Sequence, residues 1–487
     1  MSRFDSIADE ISALRFHDGR PSVEAAETLR DLLLFQRAVQ TYLWALPLLN
    51  TLGMQVGSES AFGAGYHVLP IWKRRLDANT QVTTPNSDIL YAMSYVDLGA
   101  DGPLVMDAPP MLQGILLDYW QRPIPVDGGS FAGDVGLAGP DRGKGGRFLI
   151  LPPGYDGPVP DDHFVYRSGT NRVFIFLRGF FQDPNDLAPA VAHLEQTRVY
   201  PLGNEADARP MVYPDASGVP VDMLPLSNGS AFAHLKELLD AEGRHLGGAD
   251  WLGMLAALGV EEGRPFQPDE RTAAMLDRAA RTGYKISRMI GFQEEVNGVS
   301  YRVYDDRRWI NPFANRFSGD ANTDIDLTWT DNTHGDRDLD ARIWFFTNYY
   351  SVSPGMVSRV PGQGANYFIA FTDASGDPLT GSHSYRLTLP PDVPAAIFWS
   401  LTLYDADTAS GLANGQPFPS LGSRDLPVAH ADGSTDLWFG PEAPEGKEAN
   451  WLATVPGKGF FGVLRLYGPL EASFDGSWRP GDFELLA

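Results

Sequence analysis

The chain has 487 residues, and 38 Lys and Arg against 62 Asp and Glu leave a formal net charge of −24 at neutral pH. Its composition is globular and its length allows two or three domains with sizeable cores; the acidic balance excludes a broad phosphate-binding face and disfavours anionic lipid. It has no cysteine, which rules out disulfides, thiolate metal sites, Fe–S clusters and a cysteine nucleophile.

The sequence opens Met1-Ser2-Arg3-Phe4-Asp5, without the apolar core of a signal peptide. Its longest apolar stretches, such as Leu43 to Leu49, fall short of the roughly 20 residues of a membrane span. The expectation is a soluble, cytoplasmic protein with neither nucleic acid nor membrane as partner. From Ser22, a good N-cap, Ala25, Leu29, Leu32, Leu33, Phe35 and Val39 recur at helical spacing as far as Leu52, with Pro47 set to end or kink the helix. From Ile89 the texture changes to short apolar runs cut by Gly, Pro and Asp. Ile89 to Val96, Leu104 to Met106, Ile115 to Trp120, Arg147 to Leu151 and Val173 to Leu177 read as strands of an antiparallel sandwich.

A second helical zone follows, with helices predicted at Asn185 to Arg198, Ala231 to Glu242, Trp251 to Leu258 and Asp269 to Met289. Asn297-Gly298 reads as a hairpin turn between Glu295-Val296 and Val299 to Val303. After about Ile343 nearly everything is predicted to be strand and turn. The strands are Tyr367 to Phe371, Tyr385 to Leu389, Ile397 to Tyr404, Asp436 to Phe439 and Phe460 to Tyr467. The predicted fold is mainly β with helical segments: two antiparallel β-sandwich or jelly-roll modules, a helical N-terminus and a helical insert. In numbers, 1–82 is a helical segment packed on the first module, 83–182 the first sandwich, 183–330 the insert and connector, and 331–487 the second sandwich.

Two stretches carry a family resemblance. Thr84-Pro85-Asn86-Ser87-Asp88-Ile89-Leu90-Tyr91, with Val96-Asp97-Leu98 and Gly102-Pro103 behind it, resembles the signature of domain of unknown function 1254. Ile397-Phe398-Trp399-Ser400-Leu401-Thr402-Leu403-Tyr404-Asp405 resembles that of its companion, domain of unknown function 1214. Asp432-Gly433-Ser434, Asn450-Trp451-Leu452 and Leu464-Arg465-Leu466-Tyr467-Gly468-Pro469 continue the likeness in order. The resemblance, to a bacterial two-module family, spans about Leu32 to Phe483. It implies two β-sandwich modules joined by helices and carries no settled reaction; many relatives look exported.

The usual Gly-x-Ser-x-Gly elbow, His-Glu-x-x-His pair and Walker loop are missing. Gly457-Lys458-Gly459-Phe460-Phe461-Gly462 enters a strand rather than a helix, so it offers no helix N-terminus to a pyrophosphate. In the first module Asn86 and Asp88 fall on one side of an entering strand, where Asp88 could act as general base and Asn86 with Tyr91 orient a substrate. Arg178 and Asp118 each stand on an aromatic face, the latter with Trp120; either pairs or binds a ligand. In the second module Ser400, Thr402 and Tyr404 on one strand and Arg465 and Tyr467 on another would line a cleft if their polar faces meet. Arg178 and Arg465 are candidates for stabilising negative charge.

The densest acidic run contains Asp324, Asp326 and His334 among its ligand candidates, with Asp320, Asp331, Asp336, Asp338 and Asp340 around them. Oxygen ligands at such spacing suit Ca or Mg, and the histidine admits Zn, so a divalent metal is a candidate cofactor. Of the scattered histidines, His383 between Ser382 and Ser384 is the candidate for general base chemistry. The expected function is a hydrolase acting on a small organic, aromatic or ester-like molecule in a pocket formed by the modules. The alternative is a non-catalytic binder of carbohydrate or another small ligand. Homo-oligomerisation is a further expectation.

Overall fold

The computed structural model describes residues 3–128, 131–296, 298–311, 313 and 339–486. The chain divides into two compact units, Met1–Ala45 with Ser227–Ile286, and Leu46–Leu226 with Ser287–Ala487. The first is helical. Its helix Val23–Trp44 opens at Ser22, whose Oγ accepts from the Ala25 N–H at 3.1 Å, satisfying one of the donors a helix start leaves open. Trp44 stacks on Trp251 of helix Ala249–Ala257 at 4.9 Å. Gly283 of helix Glu270–Gly291 lies against Tyr42, where an added Cβ would come within 2.5 Å of the ring.

The second unit contains both sandwiches. Pro47 sits in the first turn of helix Leu46–Phe62, where its missing N–H costs nothing. The first sandwich pairs a five-stranded sheet, ordered Ile71–Trp72, Leu90–Asp97, Arg172–Gly179, Gln113–Asp118 and Asp134–Val135, with a four-stranded one. The second runs Phe164–Arg167, Gly146–Leu151, Leu104–Ala108 and Arg198–Pro201. Period-two alternation decides what goes between them. Val173, Ile175 and Leu177 meet Met106, Phe148 and Ile150 in one core, and Phe174, Phe176 and Arg178 point out of the opposite face.

The second sandwich repeats the device. One sheet is ordered Ala365–Ala370, Phe460–Pro469, Ala395–Asp405 and Ser420–Gly422; the other is Trp451–Ala453, Thr435–Gly440, Tyr385–Leu389 and Glu484–Leu485. Leu401, Leu403, Leu464 and Leu466 fill the core against Leu387, Leu437 and Phe439. Ser400 pairs in register with Arg465, and Phe398 with Tyr467. Their face is buried too, because the outer faces of the two sandwiches meet: Tyr404 Oη donates to the Pro85 carbonyl at 2.5 Å and Arg465 to that of Thr84 at 3.2 Å.

The differences from the sequence reading have physical causes. Two strand pairs, Gly146–Leu151 with Phe164–Arg167 and Thr435–Gly440 with Trp451–Ala453, are parallel rather than antiparallel. Arg198 opens a strand, the helix before it ending at Leu194. Ile343 lies in helix Leu339–Asn348, where strand and turn were predicted. Residues 341–348 are all buried, so the helix shows no polar face and its apolar run imitates a buried strand. Strands Glu295–Val296 and Val299–Ser300 pair as predicted, with Gly298 at φ +76° between them. The predicted turn residue Asn297 is outside the described residues.

Candidate functional site

Where the two outer faces meet they leave a cavity of about 530 Å³. From the first sandwich come Asn86, Tyr91, Asp134, Phe176 and Arg178; from the second come Tyr367, Arg424, Arg465 and Tyr467. Helix Leu339–Asn348 adds Phe345, and the stretch leading from it adds Tyr349, Tyr350 and Ser351. The walls are aromatic: Tyr91 stacks on Phe176 at 5.1 Å, Phe176 meets the edge of Tyr350 at 5.5 Å, and Phe398 stacks on Tyr467 at 4.2 Å.

Three arginines reach this cavity, and among the described residues none of them has a carboxylate within ion-pair distance. Arg178 donates to Met356 Sδ at 2.8 Å and lies over the Phe176 ring. Arg465 donates to Thr402 Oγ1 at 3.3 Å and to the Thr84 carbonyl. Arg424 donates to the Asp88 carbonyl at 3.0 Å and covers the Phe398 ring at 3.8 Å. A guanidinium removed from water without a counter-charge is costly, and cation–π contact recovers only a part of that cost.

Asp134 is the one carboxylate among the described lining residues. It is 4% exposed, accepts from Ser353 Oγ at 2.6 Å and from the Gly355 N–H at 2.8 Å. Burial pushes its pKa up to about 7, against the opposing pull of those two hydrogen bonds and of the Arg178 charge. At neutral pH it therefore divides between acid and carboxylate, the condition for a group that both gives and takes a proton. The lining tyrosines Tyr91, Tyr350, Tyr367 and Tyr467 have pKa values raised above that of a free phenol, by burial first, and remain neutral donors. Thr84, Met111 and Ser351, also in the lining, have positive φ of 40°, 65° and 53°, at a cost of about 1–3 kcal/mol each.

Of the residues singled out from sequence, the fold brings Asn86, Tyr91, Arg178, Arg465 and Tyr467 to this cavity. Asn86 Nδ2 donates to Tyr467 Oη, a bond across the two modules. The expected cleft residues Ser400, Thr402 and Tyr404 lie behind it: Thr402 and Tyr404 hold Arg465 and the Pro85 carbonyl, and Ser400 Oγ is buried without a partner among the described residues. Asp88 is placed away from the lining, in an ion pair with Arg75 at 2.8 Å, accepting also from Ser420 Oγ at 3.0 Å. Asp118 pairs with Arg122 at 2.6 Å and accepts the N–H groups of Trp120 and Arg122; Trp120 is buried beyond the strand end. Burial raises the Asp118 pKa although Arg122 opposes it.

His383 also lies away from the lining, its ring centroid 6.4 Å from that of Tyr385, and the neighbouring Ser382 Oγ accepts the Gly457 N–H. Asp324, Asp326 and His334 lie outside the described residues, as do Asp320, Asp331, Asp336 and Asp338. Among the described residues no three His, Asp or Glu side chains come together to hold a metal ion, and no helix is long and apolar enough to cross a membrane. Asp134, Tyr349, Tyr350 and Ser351 escaped the sequence reading. The signal for Asp134 was its setting in a two-residue strand between Gly133 and Gly136, both at positive φ, which reads as turn chemistry alone.

The chain matches the model of Protein of unknown function (DUF1254) over residues 67–201, and that of Protein of unknown function (DUF1214) over residues 364–471. The two matches stand in the N- to C-terminal order of the two-module arrangement. The DUF1254 module supplies Asn86, Tyr91, Asp134 and Arg178 to the cavity, and the DUF1214 module supplies Tyr367, Arg424, Arg465 and Tyr467. Tyr349, Tyr350 and Ser351 come from the stretch between the two matches. Among solved structures, the VPA0106 protein from Vibrio parahaemolyticus is 18% identical, over 93% of this chain and 100% of that one, with a TM-score of 0.52; the two share a fold. An uncharacterized protein from Burkholderia cenocepacia is 13% identical over 99% of this chain and 93% of that one, with a TM-score of 0.39. No curated protein matches the chain.

Proposed function

We propose that the cavity between the DUF1254 and DUF1214 sheets is the site of a small-molecule enzyme in which Asp134 carries the proton. The observation behind this reading is a buried carboxylate with a pKa of about 7, set in an aromatic cavity beside arginines that form no ion pair among the described residues. Hydrolysis of an ester-like bond is the reaction class these groups fit. As carboxylate, Asp134 takes a proton from the attacking water; as acid, it returns one to the departing oxygen. Arg178, whose charge reaches Asp134, would stabilise charge developing on a carbonyl oxygen.

The test is a panel of chromogenic aromatic esters against the wild type and Asp134→Asn. General acid–base catalysis contributes about 10²- to 10⁴-fold, so the variant is expected to lose at least 100-fold in kcat. Undiminished turnover in the variant would overturn the assignment. A second reading, a non-catalytic ligand binder, is favoured by one observation: Ser353 is committed to Asp134 rather than poised as a nucleophile. Ligands that raise the melting temperature without any being turned over would support it.

A further inference from the structure

The cavity lining joins buried polar groups to exposed apolar side chains. Arg178 and Arg465 act electrostatically on the same three phenols, Tyr91, Tyr350 and Tyr367. One guanidinium comes from each module, so the three hydroxyls lie in a region reached by both charges. Each of these tyrosines is at least nine-tenths buried. Among the described residues none of the three hydroxyls has a hydrogen-bond partner, whereas the neighbouring Tyr467 and Tyr404 hydroxyls are both engaged. The hydroxyl of Tyr349 in the same wall is buried without a partner as well. Buried polar groups are normally satisfied. Several idle donors and two cations that form no ion pair among the described residues therefore describe a place suited to an acceptor of negative charge.

Met111, Leu137, Phe180 and Ile397, from four separate segments, all line the cavity and are 41–61% exposed. Large apolar side chains gathered around one cavity differ from the scattered surface leucine that needs no explanation. The rings of Phe176, Phe345 and Tyr350 are also in the lining. The volume of about 530 Å³ lies within the range of drug-sized ligands.

We infer that the ligand is an amphiphilic organic anion, bound head-first. Its carboxylate-like head lies between Arg178 and Arg465 and takes hydrogen bonds from Tyr91, Tyr350 and Tyr367. Its aromatic body lies along the Phe176 and Tyr350 rings, and its apolar end emerges among Met111, Leu137, Phe180 and Ile397. A planar guanidinium suits a carboxylate better than a lysine would. The inference deepens the reading of this cavity as a small-molecule site and does not need Asp134 to be catalytic.

Calorimetric titration of the full chain with three probes tests it: 4-octylbenzoate, 4-octylbenzyl alcohol, which lacks the charge, and benzoate, which lacks the tail. The acid with the tail is expected to bind at least tenfold more tightly than either of the others. Arg178→Gln should abolish the preference for acid over alcohol, and Tyr91→Phe should reduce it severalfold, which covers the case in which removing a guanidinium disturbs folding. The double variant Leu137→Ser/Ile397→Ser should shrink the advantage over benzoate and leave the acid preference intact. Equal binding of acid and alcohol, equal binding of 4-octylbenzoate and benzoate, or no binding of 4-octylbenzoate overturns the inference. Retained turnover in Asp134→Asn would sink the catalytic reading alone; that variant, having lost a negative charge from the lining, is expected to bind the acid at least as tightly as the wild type.

Discussion

A single carboxyl group gives the site a pH signature. Asp134 carries a pKa raised from 3.8 to about 7 by burial, so between those values the folded protein holds a proton that the unfolded chain has released. Stability from this residue is full below about pH 4 and declines as pH rises through about 7, since stability falls wherever the folded state binds more protons. The difference in melting temperature between wild type and Asp134→Asn, followed from pH 4 to 8, should drift in that direction. The amide adds a pH-independent offset because it cannot accept from both Ser353 and Gly355. A flat difference curve would mean that Asp134 titrates normally. Gly355→Ala acts on the same residue by geometry: its Cβ would stand 2.8 Å from Asp134 Cγ and 2.3 Å from Ala138 Cβ. It should lower both stability and any turnover.

Asp88 illustrates how far single residues were legible. Its position before a strand and beside Asn86 was readable, and so was the candidacy of Asn86. That Arg75 would claim its carboxylate was not, because the two meet only through the loop that precedes the strand, and Asp425 from the other module joins the same guanidinium at 3.0 Å. Breaking a buried pair costs about 3–5 kcal/mol. Asp88→Ala should fall at or below the low end of that range, as Asp425 remains to Arg75; chemical denaturation measures it.

At the scale of elements, strands with two buried faces govern the outcome. Alternation in Arg172–Gly179 was legible, and Arg178 stood out because it interrupts Phe174 and Phe176. The destination of that face was invisible, since a second sheet from nearly 300 residues further on covers it. The helix Leu339–Asn348 was misjudged for the same reason: burial on every side erases the periodicity that announces a helix. Close packing also explains the small residues of helix Leu46–Phe62. An added Cβ on Gly53 would meet the Leu224 carbonyl at 2.1 Å, and one on Gly57 that of Asp222 at 2.0 Å. Backbone cannot step aside as a side chain can, so Gly57→Ala should cost about 1–3 kcal/mol or more, read as a lower urea midpoint with unchanged slope.

Across the whole chain, the −24 charge and the site have opposite characters. The acidic residues keep the surface negative, yet the cavity concentrates arginine and has one half-protonated carboxyl group. A bound anion would hold Asp134 in its acid form more firmly, so binding of 4-octylbenzoate near pH 7 should draw a fraction of a proton from solution. Titrations in two buffers of different ionisation enthalpy would detect it, and equal heats in both would speak against an anion close to Asp134. Raised salt should weaken binding less than it would at an exposed patch, because buried charges are poorly screened.

The bond from Asn86 to Tyr467, and the sharing of three phenols by Arg178 and Arg465, carry a consequence for inheritance. Each module contributes one of the two guanidiniums that act on those phenols, and neither holds a full set of walls. A gene encoding one module without the other would specify a platform lacking half its donors. Selection on ligand choice must then act on both segments at once, with drift at position 178 constrained by what stands at 465. Recombination that swaps one module between divergent relatives should preserve folding more often than it preserves the ligand.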